Sequence, residues 1–172
     1  VLLVGDSMMM EGFGPVLQRT LRKRPDLEVV REGKYSTGLS RQDYFDWPAQ
    51  LEKLVGKYNP DMVVICMGAN DPQDIIDENR KRHHADSESW KTIYRSRAER
   101  LLAVATAKGA KAVWVGLPVM GKEPYSTRVR RLSELQKEAC ETYHAAFVDT
   151  VKVLADAQGT LFECRVKFAG LQ

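Results

Sequence analysis

Cysteine is scarce in this chain, long hydrophobic runs are absent, and neither sign of charge dominates. Three cysteines, Cys66, Cys140 and Cys164, are odd in number and widely spaced, which excludes a disulfide framework and a zinc-type ligand cluster. No stretch approaches the roughly 20 consecutive apolar residues that a membrane-spanning helix needs. A net charge of +3 is too small for a surface that neutralises nucleic-acid phosphates. We therefore expect a globular domain with no metal, no membrane span in this chain and no nucleic-acid partner.

Five short apolar runs alternate with longer stretches whose apolar residues recur at helical spacing. The runs occupy residues 1–4, 27–30, 62–67, 112–117 and 145–148, and the helical stretches occupy 8–24, 47–57, 89–108 and 126–143. The runs are continuously apolar, as expected for strands buried on both faces of a parallel sheet. The pattern predicts one α/β domain over residues 1–172, a three-layer α/β/α sandwich around a parallel five-stranded sheet. Residues 160–168 alternate weakly and predict either a β-hairpin or irregular structure.

The first three predicted strands are each followed by a loop that carries residues suited to acyl-group chemistry. In the loop at 5–8, Ser7 opens a helix, where its backbone N–H has no partner within the helix. In the second loop, Gly38 lets the backbone approach a ligand closely and present its N–H. In the loop at 68–71, Asn70 can aim its side-chain amide at an oxyanion. These residue types favour a serine nucleophile with backbone and amide donors around it.

Each loop also has a simpler structural interpretation. Asp6 or Ser7 can cap the helix, and Gly38 can be an ordinary turn glycine. Asn70 and Asp71 can form a common Asn-Asp turn, in which Asp71 hydrogen-bonds neighbouring backbone. The joint placement favours chemistry, because loops at the carboxyl ends of adjacent parallel strands meet at one edge of the sheet.

These motifs resemble the first three sequence blocks of the SGNH/GDSL hydrolase superfamily. Gly-Asp-Ser at 5–7, the loop glycine Gly38 and Gly-x-Asn-Asp at 68–71 carry the resemblance. The strings at 34–41, 43–48, 114–120 and 147–150 narrow it to a bacterial branch long labelled a domain of unknown function and usually predicted to be periplasmic. The resemblance implies a flavodoxin-like sandwich and no cofactor. It also implies that Ser7 is the nucleophile and that the oxyanion hole consists of the Ser7 N–H, the Gly38 N–H and the Asn70 side chain.

The fourth block of that superfamily, Asp-x-x-His, is absent from the 172 residues. Its histidine would be the general base, and its aspartate would orient that histidine. The histidines present are His83, His84 and His144, and no Asp-x-x-His includes any of them. Three interpretations stay open: the block follows in a longer protein, His83 or His84 reaches the site from a lid formed by the polar segment 72–88, or the domain binds without catalysing. His144 is expected at the amino end of its strand, on the far side of the sheet from Ser7.

The function hypothesis is a serine ester hydrolase or acyltransferase acting on a small acyl ester, possibly an O-acetylated saccharide of the cell envelope. The aromatic residues Tyr44, Phe45 and Trp47 are expected either to form a platform for the substrate or to pack against the sheet. One alternative is a non-catalytic carbohydrate- or protein-binding module on the same fold. A nucleotide or phosphate binder is disfavoured, because the turn at Gly5 lacks both the G-x-G-x-x-G and the Walker pattern.

Overall fold

The computed structural model describes residues 1–118 and 124–154, so the predicted hairpin or irregular segment at 160–168 lies outside the described residues. In chain order the elements are β1 (Leu2–Gly5), α1 (Ser7–Met10), α2 (Phe13–Leu21), β2 (Val30–Gly33), α3 (Trp47–Tyr58), β3 (Met62–Cys66), β4 (Ile75–Ile76), β5 (Arg82–His83), α4 (Glu88–Thr106), β6 (Lys111–Val115), α5 (Tyr125–Thr142), β7 (Ala146–Val148) and α6 (Thr150–Leu154). No helix in this part of the chain combines the length and apolarity that crossing a membrane requires.

The central sheet has five parallel strands in the order β2-β1-β3-β6-β7. This is the flavodoxin-like strand order, and it confirms the predicted fold class. In the register of the sheet, Gly5 lies between Gly33 and Cys66, so β1, β2 and β3 reach their carboxyl ends at the same level. The loops that carry Ser7, Gly38 and Asn70 therefore leave the sheet from three adjacent strands.

Alternate residues of each central strand enter different hydrophobic cores. Leu2 and Val4 of β1 face the larger core, which α3, α4 and α5 close, whereas Leu3 faces a smaller core against α1 and α2. Burial on both faces explains why the strand sequences are continuously apolar. Fully burying a side chain of this size contributes roughly 1.5–3 kcal/mol, so the two cores fix the sheet to its helices. The loops therefore extend from a sheet that is packed on both faces.

The structure corrects three predicted elements. The single helix expected over 8–24 is two helices, because Gly12 has a φ of +56° and breaks the backbone after Glu11. The second strand lies at Val30–Gly33 instead of 27–30, since pairing with β1 includes the polar Arg31 and Glu32. The segment 72–88, predicted as a loop, contains the short antiparallel pair β4–β5. Helices α3, α4 and α5 begin and end within two residues of their predicted bounds.

Candidate active site

Ser7 begins α1 directly after β1, but it is not the cap of that helix. The cap is Asp6, whose Oδ1 accepts a hydrogen bond of 2.9 Å from the Met8 N–H. Within the described residues, neither the hydroxyl nor the backbone N–H of the half-buried Ser7 makes a hydrogen bond. Because Asp6 performs the capping, Ser7 keeps both groups available for a bound molecule.

Asp6 also joins the loop after β1 to the loop after β3. Its side chain is fully buried, and Oδ2 accepts a hydrogen bond of 3.1 Å from the Gly68 N–H. Burial raises the pKa of Asp6, while hydrogen bonds from the backbone N–H groups of Met8, Gly68 and Ala69 act in the opposite direction. One buried carboxyl group thus holds the Ser7 loop against the loop that carries Asn70.

Gly38 and Asn70 lie together, as the joint placement of the loops predicts. The Asn70 Nδ2 donates a hydrogen bond of 2.9 Å to the carbonyl oxygen of Thr37, which belongs to the same peptide group as the Gly38 N–H. Gly38 is buried, yet its N–H donates to no group in the ranges 1–118 and 124–154. A buried N–H without a partner is rare in proteins. The amide of Asn70 has a second N–H, so both residues retain a donor for a ligand.

The Gly38 position requires glycine because the carboxyl group of Asp71 lies directly against its Cα. A Cβ placed there would be 2.2 Å from Oδ1 of Asp71 and 2.6 Å from Cγ. No larger residue fits unless one of the two loops moves. The sequence pattern indicates a close approach of the Gly38 backbone, and the structure shows that its neighbour is a carboxyl group.

Asp71 has a wider role than fixing its own turn. Its side chain is 1% exposed and accepts hydrogen bonds from the Ser40 N–H at 2.7 Å and from the Tyr94 hydroxyl at 3.0 Å. Burial raises the pKa of Asp71 to about 6, and the N–H groups of Ser40 and Leu39 and the Tyr94 hydroxyl act in the opposite direction. The Ser40 hydroxyl in turn donates to the carbonyl oxygen of Asp71. Asp71 therefore holds the neighbouring Gly38 loop in place, a contact that sequence reasoning missed.

Comparison with known proteins places the chain in a family. The sequence profile of the family described as "Protein of unknown function (DUF459)" matches residues 1–167. The chain belongs to the DUF459 family. No sequence of a curated protein matches it.

Solved structures show the fold of this DUF459 chain in other proteins. A protein assigned to the G-D-S-L lipolytic family, from Desulfitobacterium hafniense DCB-2, is 15% identical with a TM-score of 0.66, over 94% of this chain and 83% of that chain. Axe2, an acetylxylan esterase from Geobacillus stearothermophilus, is 19% identical with a TM-score of 0.64, over 87% and 74% of the two chains. TesA is 18% identical with a TM-score of 0.59, over 93% and 87%. These similarities confirm the predicted SGNH/GDSL-type fold, and the family match confirms the predicted branch labelled a domain of unknown function.

None of the three histidines of the DUF459 chain contacts Ser7. His83 is buried, and its Nδ1 and Nε2 lie 2.9 Å from Ser89 Oγ and 3.0 Å from Asp77 Oδ2. The exposed His84 is bonded to a carboxylate beside the same β-hairpin, at Asp74. His144 is exposed between α5 and β7, and thus at the amino end of β7, as predicted. Over residues 1–118 and 124–154, no group of three or more His, Cys, Asp or Glu side chains is arranged to hold a metal ion.

The aromatic residues after Gly38 differ in their exposure. Trp47 is 2% exposed, and its indole N–H donates a hydrogen bond of 3.0 Å to Thr37 Oγ1. Phe45 packs edge-on against Trp47, with 5.0 Å between the ring centroids. Tyr44 is 56% exposed, and it is free to contact a large ligand. Trp47 therefore supports the Gly38 loop with Phe45 packed against it, and an aromatic platform for the substrate stays a prediction.

Proposed function

We propose that the chain is a serine ester hydrolase or acyltransferase in which Ser7 is the nucleophile. The observation that carries the proposal is which groups on the three adjacent loops have hydrogen-bond partners and which have none. Asp6 and Asp71 are hydrogen-bonded to surrounding backbone, whereas the Ser7 hydroxyl, the Ser7 N–H and the Gly38 N–H have no partner within the described residues. Acyl transfer requires a nucleophile and N–H donors that converge on one carbonyl group, and loops at the carboxyl ends of adjacent strands can bring them together.

The reaction follows from this arrangement. Ser7 Oγ attacks the carbonyl carbon of the ester as its proton passes to a base, and the carbonyl oxygen becomes an oxyanion. The Ser7 N–H, the Gly38 N–H and the second side-chain N–H of Asn70 donate to that oxyanion. When the C–O bond to the alcohol breaks, the alcohol leaves with a proton from the protonated base and an acyl-serine remains. Water or the hydroxyl of an acceptor then attacks the acyl carbon while the base takes its proton. The bond from the acyl carbon to Ser7 Oγ breaks, Oγ takes the proton back from the base, and a carboxylic acid or a new ester leaves.

The base in this proposal is a histidine outside these 172 residues, supplied by an Asp-x-x-His block. The three histidines of the chain are bonded elsewhere or lie at the opposite edge of the sheet. Asp6 and Asp71 are unsuited to the role, because both are buried and accept hydrogen bonds from backbone N–H groups.

We propose a small acyl ester as substrate, with an O-acetyl group on a saccharide of the cell envelope as the leading case. One structurally similar protein, Axe2, is named an acetylxylan esterase, and the likeness to this chain is one of fold. The exposed rings of Tyr35 and Tyr44, which flank the Gly38 loop in sequence, are suited to packing against a sugar. An envelope substrate also fits the periplasmic location that we propose from the sequence resemblance.

Hydrolysis of p-nitrophenyl acetate by the full-length natural protein tests this proposal. We expect Ser7→Ala to lose at least about 10³-fold in kcat, because the covalent route is removed. Ser96→Ala is the matched control, since Ser96 is exposed on α4 and makes no hydrogen bond through its side chain in the described part of the chain. Equal activity of the Ser7→Ala variant and the natural protein would contradict the proposal.

The second candidate is a non-catalytic carbohydrate- or protein-binding module. The observation that favours it is the absence of an imidazole on Ser7 Oγ within residues 1–118 and 124–154. A natural protein that binds an acetylated oligosaccharide in calorimetry, but neither hydrolyses nor transfers the acetyl group, would establish this function. Release of acetate from that oligosaccharide would rule it out.

A further inference from the structure

A chain of buried polar side chains runs from α5 through α4 to the Gly38 loop. Gln136 Nε2 lies 3.0 Å from the Tyr94 hydroxyl, and that hydroxyl lies 3.0 Å from Asp71 Oδ2. Asp71 Oδ1 lies 2.7 Å from the Ser40 N–H, two residues beyond Gly38. Gln136 and Tyr94 have no exposed surface, and Asp71 is 1% exposed. The chain therefore connects the inner faces of two helices to the loop that carries a proposed oxyanion donor.

The hydrogen bonds among these buried side chains all run in one direction, from Gln136 to Tyr94 to Asp71. The Tyr94 hydroxyl has a single hydrogen, which it donates to the carboxylate of Asp71, so it accepts from the Gln136 amide. Gln136 donates its other N–H to the carbonyl oxygen of Met67, at 3.1 Å, just beyond the end of β3. The hydroxyl orientation of Tyr94 is thus set by an amide that is itself anchored to the sheet. A hydroxyl fixed in this way holds the Asp71 carboxylate in one position.

Arg97 holds the same loop from its other side. Its Nη1 donates to the carbonyl oxygens of Leu39 and Ser40, at 2.7 Å and 3.0 Å. The N–H groups of the same two residues face the Asp71 carboxylate. Two successive residues after Gly38 are therefore held through both their N–H and their C=O groups. Since Asn70 binds the carbonyl oxygen just before Gly38, the peptide group at Gly38 is fixed from both directions.

One atom of this buried polar network lowers the stability of the fold. The Oε1 atom of Gln136 is buried and accepts no hydrogen bond from the described residues, a cost that an apolar side chain would avoid. Apolar residues at positions 94 and 136 would also continue the inner faces of α4 and α5, where Ala98, Leu101 and Leu132 are buried. Burying a polar group costs free energy unless the group is hydrogen-bonded, and a hydrogen-bonded network in a core can specify one geometry. The geometry specified here is that of the Gly38 loop.

We infer that Tyr94, acting through Asp71, is a positioning residue that holds the Gly38 N–H in the orientation an oxyanion needs. The inference rests on the proposed function and adds a part of the site that no sequence motif contains. Arg97 holds the same loop from its opposite side, through the carbonyl oxygens of Leu39 and Ser40. Neither Tyr94 nor Arg97 needs to touch the substrate for this role.

The first test compares Tyr94→Phe with the full-length natural protein in the hydrolysis of p-nitrophenyl acetate. An oxyanion donor acts in the transition state, so we expect kcat to fall about tenfold while KM stays within about twofold. Tyr58→Phe is the matched control, because it also removes a tyrosine hydroxyl that donates to a carboxylate, here Glu32, and should leave both constants unchanged. An unchanged kcat for Tyr94→Phe, or a raised KM at constant kcat, overturns the inference.

The second test does not depend on catalysis. The amide resonance of Ser40 should titrate with Asp71, with a midpoint near pH 6 in the natural protein. The Tyr94 hydroxyl lowers the pKa of Asp71, so the midpoint should rise in Tyr94→Phe. Two other charged groups, Asp6 and Arg97, also act on the pKa of Asp71, and both are the same in the two proteins. The same midpoint in both proteins overturns the inference.

The third test avoids the core and covers the case in which Tyr94→Phe does not fold. Arg97 is half-buried at the loop, whereas Arg100, on the same helix, is exposed and has no partner in the described residues. We expect Arg97→Ala to lower kcat about tenfold at constant KM and Arg100→Ala to leave it unchanged. Equal kcat values for the two variants overturn the inference. If the natural protein itself is inactive, the proposed function fails, and the Ser40 titration alone still decides whether Tyr94 holds the Asp71 contact.

Discussion

Replacing Gly38 with alanine is the perturbation whose size can be worked out most directly from the structure. The new Cβ would be 2.2 Å from Asp71 Oδ1, whereas real Cβ atoms essentially never come within 3.0 Å of a nonbonded heavy atom. The loop or the carboxyl group must therefore move by close to 1 Å. Asp71 is held by Ser40 and Tyr94, so we expect the loop to move and the Gly38 N–H to leave its position. A misplacement of about 1 Å costs on the order of 10²-fold in rate.

The assay is steady-state hydrolysis of p-nitrophenyl acetate, with thermal unfolding measured in parallel. Gly38→Ala should lower kcat about 10²-fold with little change in KM and, as an overpacking change, destabilise the fold by about 1–3 kcal/mol. Gly56→Ala is the control, since a Cβ there meets nothing within 4 Å and an alanine in the helix should be neutral or slightly stabilising. A Gly38→Ala variant with the natural kcat would refute the oxyanion role of this loop.

Two further predictions address Asn70 and Asp71. Asn70→Ala should lower kcat roughly 10²- to 10³-fold at similar KM. The control is Asn79→Ala, in the exposed β4–β5 turn, which should leave kcat unchanged. Similar losses of kcat in both variants would exclude a specific role of the Asn70 amide. Burial raises the pKa of Asp71 to about 6, from a usual 3.8, so its contribution to stability is full below pH 3.8 and is lost as pH rises through 6. In urea unfolding, the natural protein should therefore lose about 2 kcal/mol relative to Asp71→Asn between pH 4 and pH 7. A stability difference that does not vary with pH would contradict this.

Predictions from sequence succeed here where a local pattern and the tertiary structure agree. The apolar run at 62–67 is buried on both faces of the sheet, so it was predictable as a central strand. The placement of Ser7, Gly38 and Asn70 in loops after three adjacent strands was predictable, because each loop follows the carboxyl end of an apolar run. Their catalytic roles stay predictions. Strand β2 was predicted three residues too early, since its position depends on pairing with β1 and its sequence at Arg31 and Glu32 is polar.

The hydrogen bonds that hold the Gly38 loop in place were not predictable, because they connect residues far apart in sequence. Asp71 bonds to Ser40 and Tyr94, 31 and 23 residues away, and no motif spans these distances. One sequence feature does point to this network. Gln136 stands at an inward position of α5, between the apolar inward residues Leu132 and Ala139. A polar residue at such a position indicates a buried partner, although only the fold identifies Tyr94 as that partner.

Covalent labelling tests the central claim, that Ser7 is an activated nucleophile, most directly. The full-length natural protein would be treated with a fluorophosphonate, digested, and analysed by mass spectrometry. The account predicts one modified peptide, with the phosphonyl group on Ser7, and no labelling of the Ser7→Ala variant under the same conditions. An unmodified Ser7 in a natural protein that contains an Asp-x-x-His block, or equal labelling of the Ser7→Ala variant, would contradict it.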